Sequence, residues 1–215
     1  MNTGIGDAVN LAWKLAAVIQ GRAPDELLDS YAAERAPFAR RLVQTTDRAF
    51  SFVTKSGRLA RFVRSRLVPR VLPLAVHIPG ARSLMFRTVS QTMLNYRKGP
   101  LAHGKAGSIR GGDRLPWVSI DGSDNFDDGS LRWQVHVYGG ASANLNRWCQ
   151  DHGLHLSQFR WHPRHALAGL AKDAAYLIRP DAYVAVAAPK GDHVTLGLYL
   201  NEIGMKLPGK GVWAS

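Results

Sequence analysis

The residues in this 215-residue chain whose types and spacing could carry chemistry are eight histidines, one cysteine and a glycine-bearing opening segment. His152 and His155 lie three apart, as do His162 and His165. On a helix each pair would share one face, where imidazoles can take a metal ion. No carboxylate or cysteine set completes a familiar site near them, and their segments read as strand or loop. All eight (His77, His103, His136, His152, His155, His162, His165 and His193) are therefore read as surface residues, and no metal site is expected. Cys149 stands alone, so it forms no internal disulfide, no CxxC redox pair and no cysteine zinc site. Following Trp148 on a predicted helix, it reads as a packed side chain. There is no G-x-S-x-G element of a serine hydrolase, and no catalytic residue is assigned. The opening segment, Met1 to Asp7, brings glycines into a helix N-terminus. Backbone N–H groups are free there, and the helix dipole adds partial positive charge. Taken alone, such a start is equally that of a plain amphipathic helix.

The elements that must position these residues change character along the chain. From Ala8, apolar residues recur at Leu11, Ala12, Leu15, Ala16 and Ile19, the spacing of a helix stopped by Gly21. Pro24-Asp25 opens a second helix with Leu27, Leu28, Tyr31 and Ala32 as its stripe. Residues 45–98 read as further helix, with breaks near Gly57, Pro69, Pro73 and Pro79-Gly80. The glycine-rich, basic stretch 101–112 reads as a linker. Beyond it, strands are expected over Leu131–Tyr138, Leu154–Trp161, Ala174–Ile178 and Tyr183–Ala187, and helices over Ala141–Asp151 and Val194–Ile203. The order β-α-β, then β-β-α, is that of a thioredoxin-like domain without CxxC. The expected fold class is α+β overall: a helical segment 1–100, a linker 101–112 and an α/β thioredoxin-like domain 113–215.

The formal net charge is +12, and it is concentrated. Between Arg35 and Lys98 there are 14 Lys and Arg against one acid, Asp47. Such a field attracts anions. A solvated helical face is the ordinary reading; an anionic membrane surface and non-specific nucleic-acid contact are the others. Neither membrane association nor specific nucleic-acid binding is expected. No apolar run approaches the roughly 18 residues of a membrane span. With one cysteine, a reducing, cytoplasmic setting is expected.

Several stretches resemble the group A flavoprotein monooxygenases, which include phenol hydroxylase and hydroxyphenylpropionate hydroxylase. Met1-Asn2-Thr3-Gly4-Ile5-Gly6-Asp7-Ala8-Val9-Asn10-Leu11-Ala12-Trp13-Lys14-Leu15 is similar to the segment that follows the family's GD motif. Ser30-Tyr31-Ala32-Ala33-Glu34-Arg35 is similar to its Y-x-x-E-R. Thr46-Asp47-Arg48-Ala49-Phe50 and Tyr96-Arg97-Lys98-Gly99-Pro100-Leu101 follow in the family's order. Gly112-Asp113-Arg114-Leu115-Pro116 resembles the entry to the thioredoxin-like domain of the phenol-hydroxylase branch. Leu177-Ile178-Arg179-Pro180-Asp181-Ala182-Tyr183-Val184-Ala185 resembles that domain's L-[IV]-R-P-D-G-[YH]-V-A, with Ala182 in place of the glycine.

The resemblance implies the C-terminal part of an FAD-dependent aromatic-ring monooxygenase, its helical segment a remnant of the FAD-binding domain. It implies that Met1, Asn2, Thr3 and Gly4 face the pyrimidine edge of FAD. NAD(P)H is the implied reductant and a phenol-like aromatic compound the implied substrate. The family's G-x-G-x-x-G, D-G and G-D segments lie ahead of these words and are not among the 215 residues. The chain alone is therefore expected to be inactive and to bind FAD weakly. The expected partners are an N-terminal FAD-binding portion and a second copy in a homodimer. The alternative is a non-catalytic interaction or oligomerisation module with a basic helical arm.

Overall fold

Trp13 sets the packing of the first helix. The computed structural model describes residues 2–54, 57, 61–78, 80, 94–126 and 131–207. Helix α1 spans Asn2–Ile19, but its buried face is not the expected stripe. Asn10, Trp13, Lys14 and Ala17 are buried, whereas Leu15 is 38% and Ile19 81% exposed. A tryptophan offers more apolar area than any aliphatic side chain in the stripe, and the two polar residues beside it find partners. At the C-terminal end Gly21 takes φ +66°. The Arg22 N–H then reaches the Ala17 carbonyl at 2.8 Å, closing the last turn as a glycine-capped helix does.

After Pro24 a 3-10 turn, Asp25–Leu28, leads into helix α2, Asp29–Thr54, which carries Pro37 inside it. A π-helical turn, Val63–Leu67, leads into α3, Val68–His77. Pro69 and Pro73 were expected to break the chain; both lie within α3. Proline at the start of a helix costs no hydrogen bond, and one further in costs a single rung. The break expected at Pro79 lies outside the described residues.

Residues 103–188 build a six-stranded sheet in the order β2-β1-β8-β7-β5-β6. Its strands are β1 His103–Ala106, β2 Ile109–Arg110, β5 Gln134–Tyr138, β6 His155–Phe159, β7 Ala175–Ile178 and β8 Val184–Ala188. A small antiparallel pair, β3 Ser119–Ile120 and β4 Ser123–Asp124, stands apart. Helix α4 (Ala143–Asp151) crosses from β5 to its parallel neighbour β6. The short α5 (Pro163–Leu167) precedes β7, and α6 (His193–Glu202) follows β8. β7 runs antiparallel to both β5 and β8. This is the expected α+β architecture with a mixed thioredoxin-like sheet. Every residue of β7 and β8 is buried, because apolar clusters cover both faces of the sheet.

Two features depart from the reading of the sequence. The stretch 101–112 holds regular structure: β1 and β2 form a hairpin, and β1 pairs in parallel with β8. Its glycines serve close approach rather than flexibility. A Cβ on Gly104 (φ +75°) would sit 2.4 Å from the Ala187 carbonyl oxygen, and one on Gly112 (φ +83°) 2.4 Å from the Arg97 backbone nitrogen. In addition, Trp13, Ala17 and Leu27 share one apolar cluster with Val135, Leu177, Leu196 and Leu200. The thioredoxin-like elements thus bury one face against the first helix. The chain forms two compact units, Met1–Glu34 with Asn95–Ser215, and Arg35–Leu94.

Candidate functional site at the joint of helix α1 and the sheet

Four charged side chains meet inside the first unit. Asn10 and Lys14, one turn apart on α1, face Glu34 on α2 and the turn Arg179-Pro180-Asp181 between β7 and β8. Arg179 Nη1 donates to Glu34 Oε1 at 2.5 Å and Nη2 to Glu34 Oε2 at 3.0 Å, a bidentate pair. The same guanidinium grips Asp181, with Nε at 3.0 Å and Nη2 at 2.5 Å. Lys14 Nζ donates to Glu34 Oε2 and to Asn10 Oδ1, both at 2.9 Å. Asn10 Nδ2 donates to Glu34 at 2.8 Å and to Asp181 at 3.1 Å, and Trp13 Nε1 donates to Asp181 at 3.2 Å. Two cations therefore balance two acids.

Electrostatics follow from this geometry. Burial alone would push the Glu34 carboxyl up; Arg179, Lys14 and Asn10 outweigh it and hold it at about 2. Burial would lower the Arg179 value, but Asp181 and Glu34 keep the guanidinium charged. Lys14 goes the other way. Desolvation and the neighbouring Arg179 bring its ammonium down to about 8, and Glu34 opposes this only in part. The carboxylate is held first by the bidentate arginine, with the lysine as its second partner. An aromatic cage completes the joint: the Arg179 guanidinium carbon lies 5.2 Å from the Trp13 ring, 5.5 Å from Tyr96 and 5.8 Å from Tyr183.

Five of the six stretches that carry the family resemblance converge here. Tyr31-Ala32-Ala33-Glu34 supplies the acid, and Arg179-Pro180-Asp181 the fork. Tyr96 packs on Tyr183 with ring centroids 4.3 Å apart. A Cβ on Gly99 would lie 3.2 Å from Glu34 Cγ. Arg97 Nε donates to Asp113 Oδ1 at 2.6 Å, and Asp113 also accepts from the Arg110 N–H at 2.9 Å. Ala182 takes φ +63°, so the turn keeps the left-handed step that a glycine would supply and bears its strain. Asn10, Lys14, Glu34, Arg179 and Asp181 all stand in the motif-like stretches, but nothing in the sequence marked them as partners of one another. The available signal was two polar residues at i and i+4 flanking Trp13.

The remaining candidates fall out differently. Met1 lies outside the described residues, as does the side chain of Asn2; Thr3 is half-buried and Gly4 exposed. The first turn of α1 carries no acid, and a Cβ on Gly4 would meet nothing within 4 Å. Not all histidines are surface residues. His136 and His165 are 2% exposed. His165 Nδ1 accepts from the His162 N–H at 3.2 Å, and His162 Nδ1 accepts from the Arg164 N–H at 3.1 Å. The pair of histidines caps a helix, and burial, with His162 beside it, lowers the pKa of His165. No group of residues suited to a metal ion occurs among the described residues. Cys149 is buried, as expected of a packed residue, and burial pushes its thiol up to about 12. No described helix is long and apolar enough to cross a membrane.

A family model described as an FAD binding domain matches residues 1–46. Over 201 residues the chain is 30% identical to an anhydrotetracycline monooxygenase of Streptomyces rimosus, covering 88% of this chain and 37% of that one. Over 102 residues it is 34% identical to a 3-(3-hydroxy-phenyl)propionate/3-hydroxycinnamic acid hydroxylase of Mycolicibacterium gilvum, covering 47% and 17%. The solved structure of CabE, an aromatic hydroxylase from angucycline biosynthesis, superimposes with a TM-score of 0.67 at 28% identity, over 96% of this chain and 41% of that one. The chain thus spans less than half the length of these relatives. In sequence order and in fold, the chain matches part of the FAD-dependent aromatic-ring monooxygenases.

Proposed function

We propose that these residues form the C-terminal part of an FAD- and NAD(P)H-dependent monooxygenase that hydroxylates a phenol-like aromatic substrate. The observation that carries this reading is the collinear match to anhydrotetracycline monooxygenase across 88% of the chain. Such enzymes draw their redox chemistry from the cofactor. In this reading Met1, Asn2, Thr3 and Gly4 bring the open end of α1 to the pyrimidine edge of the flavin, where its N–H groups favour negative charge on the reduced ring. The buried joint holds that helix at a fixed angle to the sheet. Leu15 and Ile19 on the outer side of α1 await cover, which supports a complementing N-terminal FAD-binding portion as partner.

The 215 residues alone are expected to bind FAD weakly and to hydroxylate nothing. The test is to purify the chain alone and co-expressed with the N-terminal portion of a close relative. A colourless chain alone, and a yellow complex that consumes NAD(P)H when given a phenolic substrate, supports the reading. Stoichiometric FAD on the chain alone contradicts the need for a partner. A colourless complex removes the flavin role of α1. A second reading, an interaction module that can pair as a homodimer, rests on Phe50, Phe62 and Val71, which are each more than half exposed among basic residues. Self-association of the isolated chain, seen by analytical ultracentrifugation, would favour it.

A further inference from the structure

Behind the joint, a pocket of about 80 Å³ opens between α1 and the sheet. Trp13, Trp133 and Pro180 wall it, and Arg22, Arg132 and Lys206 bring positive charge to it. No acid is among its described lining residues. Trp13 and Trp133 meet edge to face, with centroids 5.6 Å apart. Arg22 lines the pocket, and its Nε is buried without a hydrogen-bond partner among the described residues. Arg22 Nη2 donates to Gln20 Oε1, so the guanidinium is anchored on one side while its Nε–H stays unused. A buried, unmatched donor on a charged group is costly and marks a place where an acceptor belongs. The chain holds Arg22 in position through the glycine-capped end of α1, and the Lys206 N–H donates to the Arg22 carbonyl at 2.7 Å.

We propose that this pocket binds a small oxyanion, a carboxylate or phosphate group, with Arg22 as its principal ligand and Arg132 and Lys206 supplying further positive charge. The volume suits such a group in place of several waters, and it is too small for a whole polycyclic aromatic. Planar guanidinium groups recognise both anion types through paired N–H donors. The site is distinct from the flavin edge at the other end of α1, and it shares Trp13 with the Glu34–Arg179–Asp181 joint.

The test uses the full 215-residue chain at constant ionic strength, titrated separately with inorganic phosphate and with benzoate. Tryptophan fluorescence and the thermal midpoint are followed. Saturable binding of phosphate, with a rise in midpoint, assigns a phosphate-type ligand; saturable binding of benzoate alone assigns a carboxylate. Arg22→Gln is expected to weaken either by about tenfold or more, and Arg160→Gln, outside the pocket, to leave it unchanged. Arg132→Gln serves as a second variant should Arg22→Gln fail to fold. No saturable signal with either anion overturns the proposal. So does equal binding by the wild type and the pocket variants, since the anions would then be responding only to the overall positive charge.

Discussion

Arg179 in the first compact unit and a run of arginines in the second put the same residue type in opposite settings. In the first, Arg179 is 1% exposed and makes four N–H···O bonds to two carboxylates beneath three aromatic rings. In the second, Arg40, Arg41, Arg61, Arg66 and Arg70 are exposed, and Asp47 is the one acid between Arg35 and Lys98. Arg70 turns to the carbonyl of Arg66, 2.8 Å away. An arginine is buried where acids accompany it into the interior and stays solvated where none do. The basic region adds to the field of the molecule, whereas the joint fixes its architecture.

Substitutions that break this contrast should do so with very different force. Glu34→Ala strands Arg179 and Lys14 in the interior, and a loss of about 3–5 kcal/mol is expected by urea unfolding. Trp13→Ala removes the ring shared by the apolar cluster and the cation cage and should also cost about 3–5 kcal/mol. If it costs less than 1, α1 is not part of the core. Ala182→Gly should act in the other direction, stabilising by about 1 kcal/mol as the left-handed strain is relieved. Arg66→Gln and Arg70→Gln, out in solvent, should stay within about 0.5 kcal/mol.

The pH dependence sharpens the same contrast. Glu34 is depressed in the folded chain, so its contribution is complete above the ordinary carboxylate range and is lost as pH falls towards about 2. Lys14, at about 8 when folded, binds fewer protons than it does in the unfolded chain, so its part in stability rises with pH from 8 towards 10.5. Buried tyrosines and Cys149, all raised, pull the other way above pH 9. The Lys14 contribution is therefore read as the difference between the wild type and Lys14→Met. That difference should shift in favour of the wild type as pH rises from 8 to 9.5.

Local order was legible in the sequence. Alternation and turn residues marked β5 to β8, and Arg179-Pro180-Asp181 marked the turn between β7 and β8. Long-range pairing was not. Nothing near Glu34 announces a partner 145 positions away, and the periodicity of α1 favoured Leu15 and Ile19 over the Asn10–Lys14 face that is buried. Glycine richness in 101–112 suggested flexibility because composition does not separate a tether from a strand pressed against neighbouring backbone. His165 read as a surface residue because its burial depends on Tyr138 and Trp161, whose rings lie 4.7 and 5.8 Å from it.

The central claim is that α1 and the sheet fold as one body through the Glu34–Arg179–Asp181 joint. Amide hydrogen exchange on the intact chain tests it most directly. The amides of Trp13, Lys14 and Ala17 should exchange as slowly as those of Val135, Leu177 and Val186, and Glu34→Gln should accelerate both sets together. Fast exchange along α1 beside a fully protected sheet would contradict it.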